Sequence, residues 1–192
     1  MNKAAFLDKD GTINEDVGYL DDPNKLVLLP RAAEAIKRLN EHGFKVIIIS
    51  NQSGIAKGIL TEDILQTIDK KLQKELLKLG AYVDAIYYCP HHPEHGLYPY
   101  KKVCQCRKPH PGLVKRAEKE HNIDLKSSYF VGDKLSDIET GKAVGIKTIL
   151  VLTGKGKETK QEQGFSENKP DYEAPDLFHA VNWIIEDRKN AE

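Results

Sequence analysis

The sequence predicts an α/β protein built on a doubly wound, mainly parallel sheet, and three observations carry that prediction. Strand-like apolar runs alternate with helical periodicity along nearly the whole chain, the pattern that right-handed crossovers between parallel strands produce. Val46-Ile47-Ile48-Ile49 is continuous and β-branched, as suits a strand covered on both faces. Polar clusters follow three of the strand runs directly: Asp8 and Asp10 after residues 4–7, Ser50-Asn51 after Ile49, and Asp133 after residues 129–131. In an open α/β sheet, ligands bind outside the carboxyl ends of the strands.

In chain order, residues 4–7 read as a buried strand, and 14–30 as a loop containing Asp16-Val17-Gly18-Tyr19. A helix is expected from Arg31, with Ala32, Ala35, Ile36 and Leu39 on one face, Pro30 near its start and Gly43 past its end. Thr61 caps a long helix carrying Ile64, Leu65, Ile68, Leu72, Leu76 and Leu79, with Gly80 as its stop. Residues 85–88 form a third strand, and 89–111 break the rhythm with Pro, His, Cys and Tyr. A helix over about 112–121, a strand at 129–131, and a short helix with Ser136 and Glu139 as a capping box follow. A fifth strand spans 148–152, and 154–170 read as a mobile, charged surface loop. Leu177, Ala180, Val181, Ile184 and Ile185 mark a closing helix, and the expected organisation is one domain over 1–187 with a fraying tail at 188–192. The longest insertions near the polar clusters, 14–30 and 89–111, are loop-sized, so no large cap domain is expected.

The 192 residues suffice for one domain with a substantial core. Lysine plus arginine and aspartate plus glutamate number 29 each, which leaves no electrostatic footprint for nucleic acid or membrane. No apolar run is long enough to span a bilayer and no signal-peptide segment opens the chain, so a soluble, cytoplasmic protein is expected, as a monomer.

Asp8 and Asp10 alone could be a surface turn, since Asp and Gly are ordinary turn residues. Joined by Ser50, Lys108 and Asp133 at one crevice, they have the character of phosphoryl transfer: carboxylates for Mg²⁺, and a hydroxyl and an amine for a phosphoryl group. Asp8-Lys9-Asp10-Gly11-Thr12, Ser50, Lys108 and Gly132-Asp133-Lys134-Leu135-Ser136-Asp137 resemble, in order, the four motifs of the haloacid dehalogenase (HAD) superfamily. That resemblance implies Asp8 as the nucleophile and Asp10 as acid, then base. It implies Mg²⁺ held by the Asp8 and Asp133 side chains and the Asp10 backbone carbonyl, with Ser50 and Lys108 holding the phosphoryl group. Asp137 is either an outer metal partner or the first residue of a helix capped by Ser136.

Cys89, His91, Cys104 and Cys106 offer three thiolates and an imidazole in two close pairs, a donor set for a structural zinc site, with His92 and His95 competing for the place of His91. Tyr87-Tyr88-Cys89-Pro90-His91-His92-Pro93-Glu94 and the run 104–112 closely resemble the heptose bisphosphate phosphatases, and the phosphatase domain of bifunctional histidine-biosynthesis proteins is similar. Gly18-Tyr19, the run 51–58 and Gly132-Asp133-Lys134 look closer to the heptose enzymes than to the histidinol phosphatases. The resemblance implies zinc on Cys89, His91, Cys104 and Cys106, stabilising loop 89–108. It also implies a small phosphorylated sugar, heptose 1,7-bisphosphate, as the substrate, bound by Asp16, Val17, Gly18, Tyr19, Ser50, Asn51, Gln52, Ser53, Arg107, Lys108 and Lys134. Lys9 and Thr12 depart from that group, where Arg and Val are common. A histidinol-phosphate or polynucleotide-end phosphatase, and a non-catalytic zinc-organised binding module, are the competing readings; the neutral charge argues against the polynucleotide.

Overall fold

The computed structural model of the chain describes residues 1–191. Six strands, β1 (Ala4–Leu7), β2 (Lys45–Asn51), β3 (Ala85–Cys89), β4 (Tyr129–Gly132), β5 (Lys147–Val151) and β6 (Tyr172–Ala174), form one sheet in the order β3-β2-β1-β4-β5-β6. Every neighbouring pair is parallel. The chain winds outward from β1 to β3, then returns to place β4 on the other side of β1. The switch point therefore lies between β1 and β4, and the crevice at their carboxyl ends is where such a sheet binds ligands.

Six helices alternate with the strands: α1 (Ala32–Glu41), α2 (Glu62–Lys78), α3 (Gly112–His121), α4 (Leu135–Lys142), α5 (Gly156–Thr159) and α6 (Leu177–Ala191). Strand parity divides the core. Ala5, Leu7, Val46, Ile48, Tyr129 and Val131 pack with α1, α2 and α6 on one face. Ala4, Phe6, Ile47, Ile49 and Phe130 pack with α3 on the other. Because both faces are covered, the strands read as apolar throughout, with no alternation. No helix among the described residues is long and apolar enough to cross a membrane.

The structure departs from expectation in five places. Arg31 takes a left-handed φ of 61°, so α1 starts at Ala32. The Ser136/Glu139 capping box does not form: Lys134 is the N-cap of α4, and the Asp137 carboxylate accepts its backbone N–H at 3.0 Å. The segment expected as a mobile loop contains α5, and β6 goes beyond the five strands expected. Residues 188–191 of the expected tail continue α6, whereas Glu192 lies outside the described residues.

Candidate active site

Backbone pairing carries β1 one residue past its end, since the Asp8 N–H donates to the Val131 carbonyl at 2.9 Å. The chain then turns tightly, with Gly11 N–H donating to the Asn14 carbonyl at 2.7 Å and Ile13 N–H to that of Lys9 at 2.8 Å. Asp8 is left buried on the floor of the crevice and Asp10 stands on its wall. Two amides hold the Asp10 carboxylate: Asn14 Nδ2 donates to Oδ1 and Gln52 Nε2 to Oδ2, both at 2.9 Å. Gln52 Nε2 also donates to the buried Ser50 Oγ at 2.7 Å, which links the ends of β1 and β2.

Lys108 is the hub beneath this floor. Lys108 is 4 % exposed; its ammonium donates to Asp8 Oδ1 and to the Ile49 carbonyl, each at 2.8 Å, and forms an ion pair with Asp137 Oδ1 at 2.6 Å. Asn51 braces the Lys108 backbone reciprocally, accepting its N–H at 3.0 Å and donating to its carbonyl at 3.1 Å. Burial alone would lower the Lys108 amine, but Asp137 and Asp8 together hold it above its usual range. Burial would likewise raise Asp8, and Lys108 and Lys134 hold its carboxyl below the ordinary range. Asp137 is thus not the first residue of a helix capped by Ser136, while its place within 4.8 Å of the Asp8 and Asp133 oxygens agrees with an outer metal partner. It caps α4 from within the first turn and pairs with Lys108, and burial pushes its carboxyl up to about 6.

Asp133 sits at the end of β4, next to the switch point. Main chain and hydroxyls from the segment after β5 fix it: Lys155 N–H donates to Asp133 Oδ2 at 2.7 Å, and Thr159 Oγ1 to the Asp133 carbonyl at 2.8 Å. Thr153 Oγ1 donates to the Gly11 carbonyl at 2.7 Å, tying the same segment to the turn after β1. Gly11 and Gly154 meet over the Asp133 carboxylate, where a Cβ on either would collide with Oδ2.

The oxygens around this point suit a hard cation. Asp8, Asp133 and Asp137 each offer an oxygen within 4.8 Å of the others. Asp133 Oδ1 is buried without a hydrogen bond, and burial together with the Asp8 charge pushes this carboxyl up to about 8. The Lys134 ammonium stands where a cation is called for, 3.8 Å from Asp8 Oδ2, 3.7 Å from Asp133 Oδ1, 3.4 Å from the Asp10 carbonyl and 3.2 Å from Asp16 Oδ2. Carboxylates and a carbonyl on one small volume are the donors Mg²⁺ prefers. The Asp10 side chain does not join that group; its carbonyl does.

A cleft of about 430 Å³ opens above, lined by Asp10, Asp16, Gly18, Tyr19, Arg107 and Lys134, among others. Asn51, Gln52, Ser53 and Lys108 also line it, whereas Ser50, buried and bonded to Gln52, and Val17, 48 % exposed, do not. Lys57, which nothing in its local sequence singles out, donates to Tyr19 Oη at 2.7 Å at the rim.

Below the rim, Cys89 Sγ, Cys104 Sγ, Cys106 Sγ and His91 Nδ1 converge. The sulfur–sulfur distances are 3.5, 3.2 and 3.3 Å, and His91 Nδ1 lies 3.6 Å from Cys89 Sγ and 3.3 Å from Cys106 Sγ. A tetrahedron with metal–sulfur bonds of about 2.3 Å has edges of roughly 3.5–3.8 Å, so these four atoms fit zinc with slight expansion. His92 is turned away, its Nδ1 accepting the N–H groups of Glu94 and His95 at 3.1 and 3.0 Å. The loop bears on the cleft directly: Arg107 donates to the His91 carbonyl at 3.1 Å, and Gly96 lies so close to the Ala56 carbonyl that no side chain fits between them.

A parallel sheet with paired aspartates at its switch point defines the class, and a family model described as HAD-hydrolase-like matches residues 105–180. The D-glycero-D-manno-heptose-1,7-bisphosphate 7-phosphatase of Chlorobaculum tepidum is 40% identical over 189 residues, 95% of this chain and 94% of that protein. The D-glycero-beta-D-manno-heptose-1,7-bisphosphate 7-phosphatase of Escherichia coli K12 is 41% identical over 153 residues, 79% of this chain and 80% of that protein. Among solved structures, the D,D-heptose 1,7-bisphosphate phosphatase of B. bronchiseptica, complexed with magnesium and phosphate, matches with a TM-score of 0.85 at 32% identity, covering 96% of this chain and 99% of that one. The chain belongs to the heptose bisphosphate phosphatase family of HAD-like hydrolases, enzymes that hydrolyse phosphate monoesters.

Proposed function

We propose that this protein hydrolyses the 7-phosphate of D-glycero-D-manno-heptose 1,7-bisphosphate, acting as a cytoplasmic monomer. The observation that carries the proposal is the division of labour between two aspartates two residues apart. Asp8 is buried against Lys108 and Lys134, which favour its ionised, attacking form. Asp10 stands on the cleft wall with its carboxylate oriented by Asn14 and Gln52. A phosphoryl group seated between them is attacked from the floor, and its sugar oxygen departs toward the wall.

In the first step an Asp8 oxygen forms a bond to phosphorus as the ester P–O bond breaks, and the Asp10 carboxyl gives its proton to the departing sugar oxygen. In the second, the Asp10 carboxylate takes a proton from water, whose oxygen attacks phosphorus and releases phosphate from Asp8. The Asp8 and Asp133 carboxylates and the Asp10 carbonyl would hold Mg²⁺, which would supply charge neutralisation for the phosphoryl oxygens. Ser50 and Lys108 flank the same group, and Arg107 and Lys134 serve the second phosphate. Contacts to that remote phosphate lower the barrier only by positioning the reacting one.

The test is phosphate release from both anomers of the bisphosphate and from histidinol phosphate, with and without Mg²⁺. The bisphosphate should turn over faster and EDTA should stop release; faster turnover of histidinol phosphate would overturn the substrate assignment.

Zinc takes no part in these steps. It folds a loop too polar to build its own core, and such binding is folding free energy. Freshly purified protein should carry one zinc per chain. Stripping it with a chelator should open residues 89–108 to protease while far-UV circular dichroism stays nearly constant. Zinc-free protein with a protected loop would rule the site out.

A further inference from the structure

The residue between the two aspartates is buried and so far unused. Strand parity turns Lys9 away from the crevice, to the face on which Leu7 packs against α2, and Lys9 is only 1 % exposed. Its ammonium reaches no hydrogen-bond partner among the described residues. It lies 4.0 Å from Asp10 Oδ2 and 3.7 Å from Oδ1 of Asp69, a largely buried carboxylate on α2. Asp69 Oδ1 likewise lacks a hydrogen bond. Taking an ammonium and a carboxylate out of water costs several kcal/mol per ion, which only close opposite charge and good geometry recover. An aliphatic side chain of similar length would fill this volume without that cost.

The geometry explains what the pair does. Among the described residues the Asp10 carboxylate lies within 4.0 Å of one ammonium, that of Lys9, and this cation is shared with a second carboxylate. Without Asp69, nothing would oppose collapse of the ammonium onto Asp10 Oδ2, which would pull the carboxylate off Gln52 and away from the cleft. Without Lys9, Asp69 would face Asp10 across the same space as an uncompensated like charge.

We propose that Lys9 and Asp69 are a buried positioning pair: the ammonium, drawn back by Asp69, holds Asp10 on the leaving-group side of the cleft without closing on it. The inference rests on the reading of Asp10 as the proton donor, and it assigns roles to two residues that touch no substrate.

The test separates proton donation from the rest of the reaction. The value of kcat/KM covers steps through departure of the leaving group, and a sugar alkoxide needs Asp10's proton whereas p-nitrophenolate does not. Asp69→Asn and Lys9→Met should each lower kcat/KM on the heptose bisphosphate about 30-fold more than on p-nitrophenyl phosphate, a part of the 10²–10⁴ that general acid catalysis contributes. Lys9→Arg should restore the wild-type ratio. The double variant Lys9→Met/Asp69→Leu strands no charge and should fold, as judged by thermal melting, yet keep the altered ratio. Equal losses on both substrates in that folded double variant, or no loss, would overturn the proposal. Wild-type protein that releases phosphate from neither substrate would instead refute the phosphatase reading on which it rests.

Discussion

Asp8→Asn should abolish phosphate release, by a factor on the order of 10⁴–10⁶, as removal of a catalytic nucleophile does elsewhere. The amide nitrogen has no lone pair to offer phosphorus and the amide oxygen is a poor nucleophile, so no covalent intermediate forms. The same substitution should cost some stability, though less than loss of Lys108, because Lys108 and Lys134 hold the Asp8 carboxyl below its ordinary range and its charge therefore favours the folded state. Asp8 is one of three carboxylates whose oxygens lie within 4.8 Å, and its charge is among the causes that push Asp133 up to about 8. Removing it relieves that repulsion and leaves Lys108 its 2.6 Å contact with Asp137, which limits the cost of losing the Asp8 charge. Phosphate release and urea denaturation on one preparation check both halves. Retained turnover would refute the mechanism, and global unfolding would show that Asp8 is needed for the fold as well.

Lys108→Met should cost both activity and about 3–5 kcal/mol of stability, the usual result of removing one partner from a buried ion pair. Asp8 and Asp137, 4 % and 0 % exposed, would lose their common cation, and the Ile49 carbonyl its donor. The two losses have different origins and can be separated. Lys108→Met/Asp137→Asn removes one of the stranded charges and should regain most of the stability in urea denaturation, but not turnover, because the cationic partner of Asp8 is still missing. A double variant as unstable as the single would place the energetic role of Lys108 elsewhere.

How much of this was legible in the sequence depended on where each contact lies along the chain. Asp8, Asp10, Ser50 and Asp133 follow strands directly, so apolar runs that read as buried on both faces also located the crevice. The candidate zinc set was legible because its ligands come in two tight pairs; spacing left His91, His92 and His95 in competition, and the family resemblance named His91, the histidine the loop brings to the three sulfurs. Asp137 was ambiguous because its main partner, Lys108, is distant in sequence, and its capping role does not need the Ser136 hydroxyl. The segment after β5 was misjudged for another reason: it acts on Asp133 through a backbone N–H and a threonine hydroxyl, groups that composition does not mark. β6, three residues long, carries too little pattern to stand out. Lys9 read as a minor variation on a motif, because burial of a lysine cannot be seen until α2 is laid against it.

The meeting of Gly11 and Gly154 over Asp133 has a consequence for how the molecule comes apart. Neither glycine has a rotamer to lose, and the hydrogen bonds around them each join main chain to a buried or half-buried side chain, Thr153 Oγ1 to the Gly11 carbonyl and Lys155 N–H to the Asp133 carboxylate. Local opening tends to follow segments with few buried contacts, and this point lies between the central strands of the sheet. Amide protons of Gly11 and Lys155 should therefore exchange with solvent only when the whole sheet opens. The catalytic floor should stay assembled up to the melting transition and then vanish together with the fold.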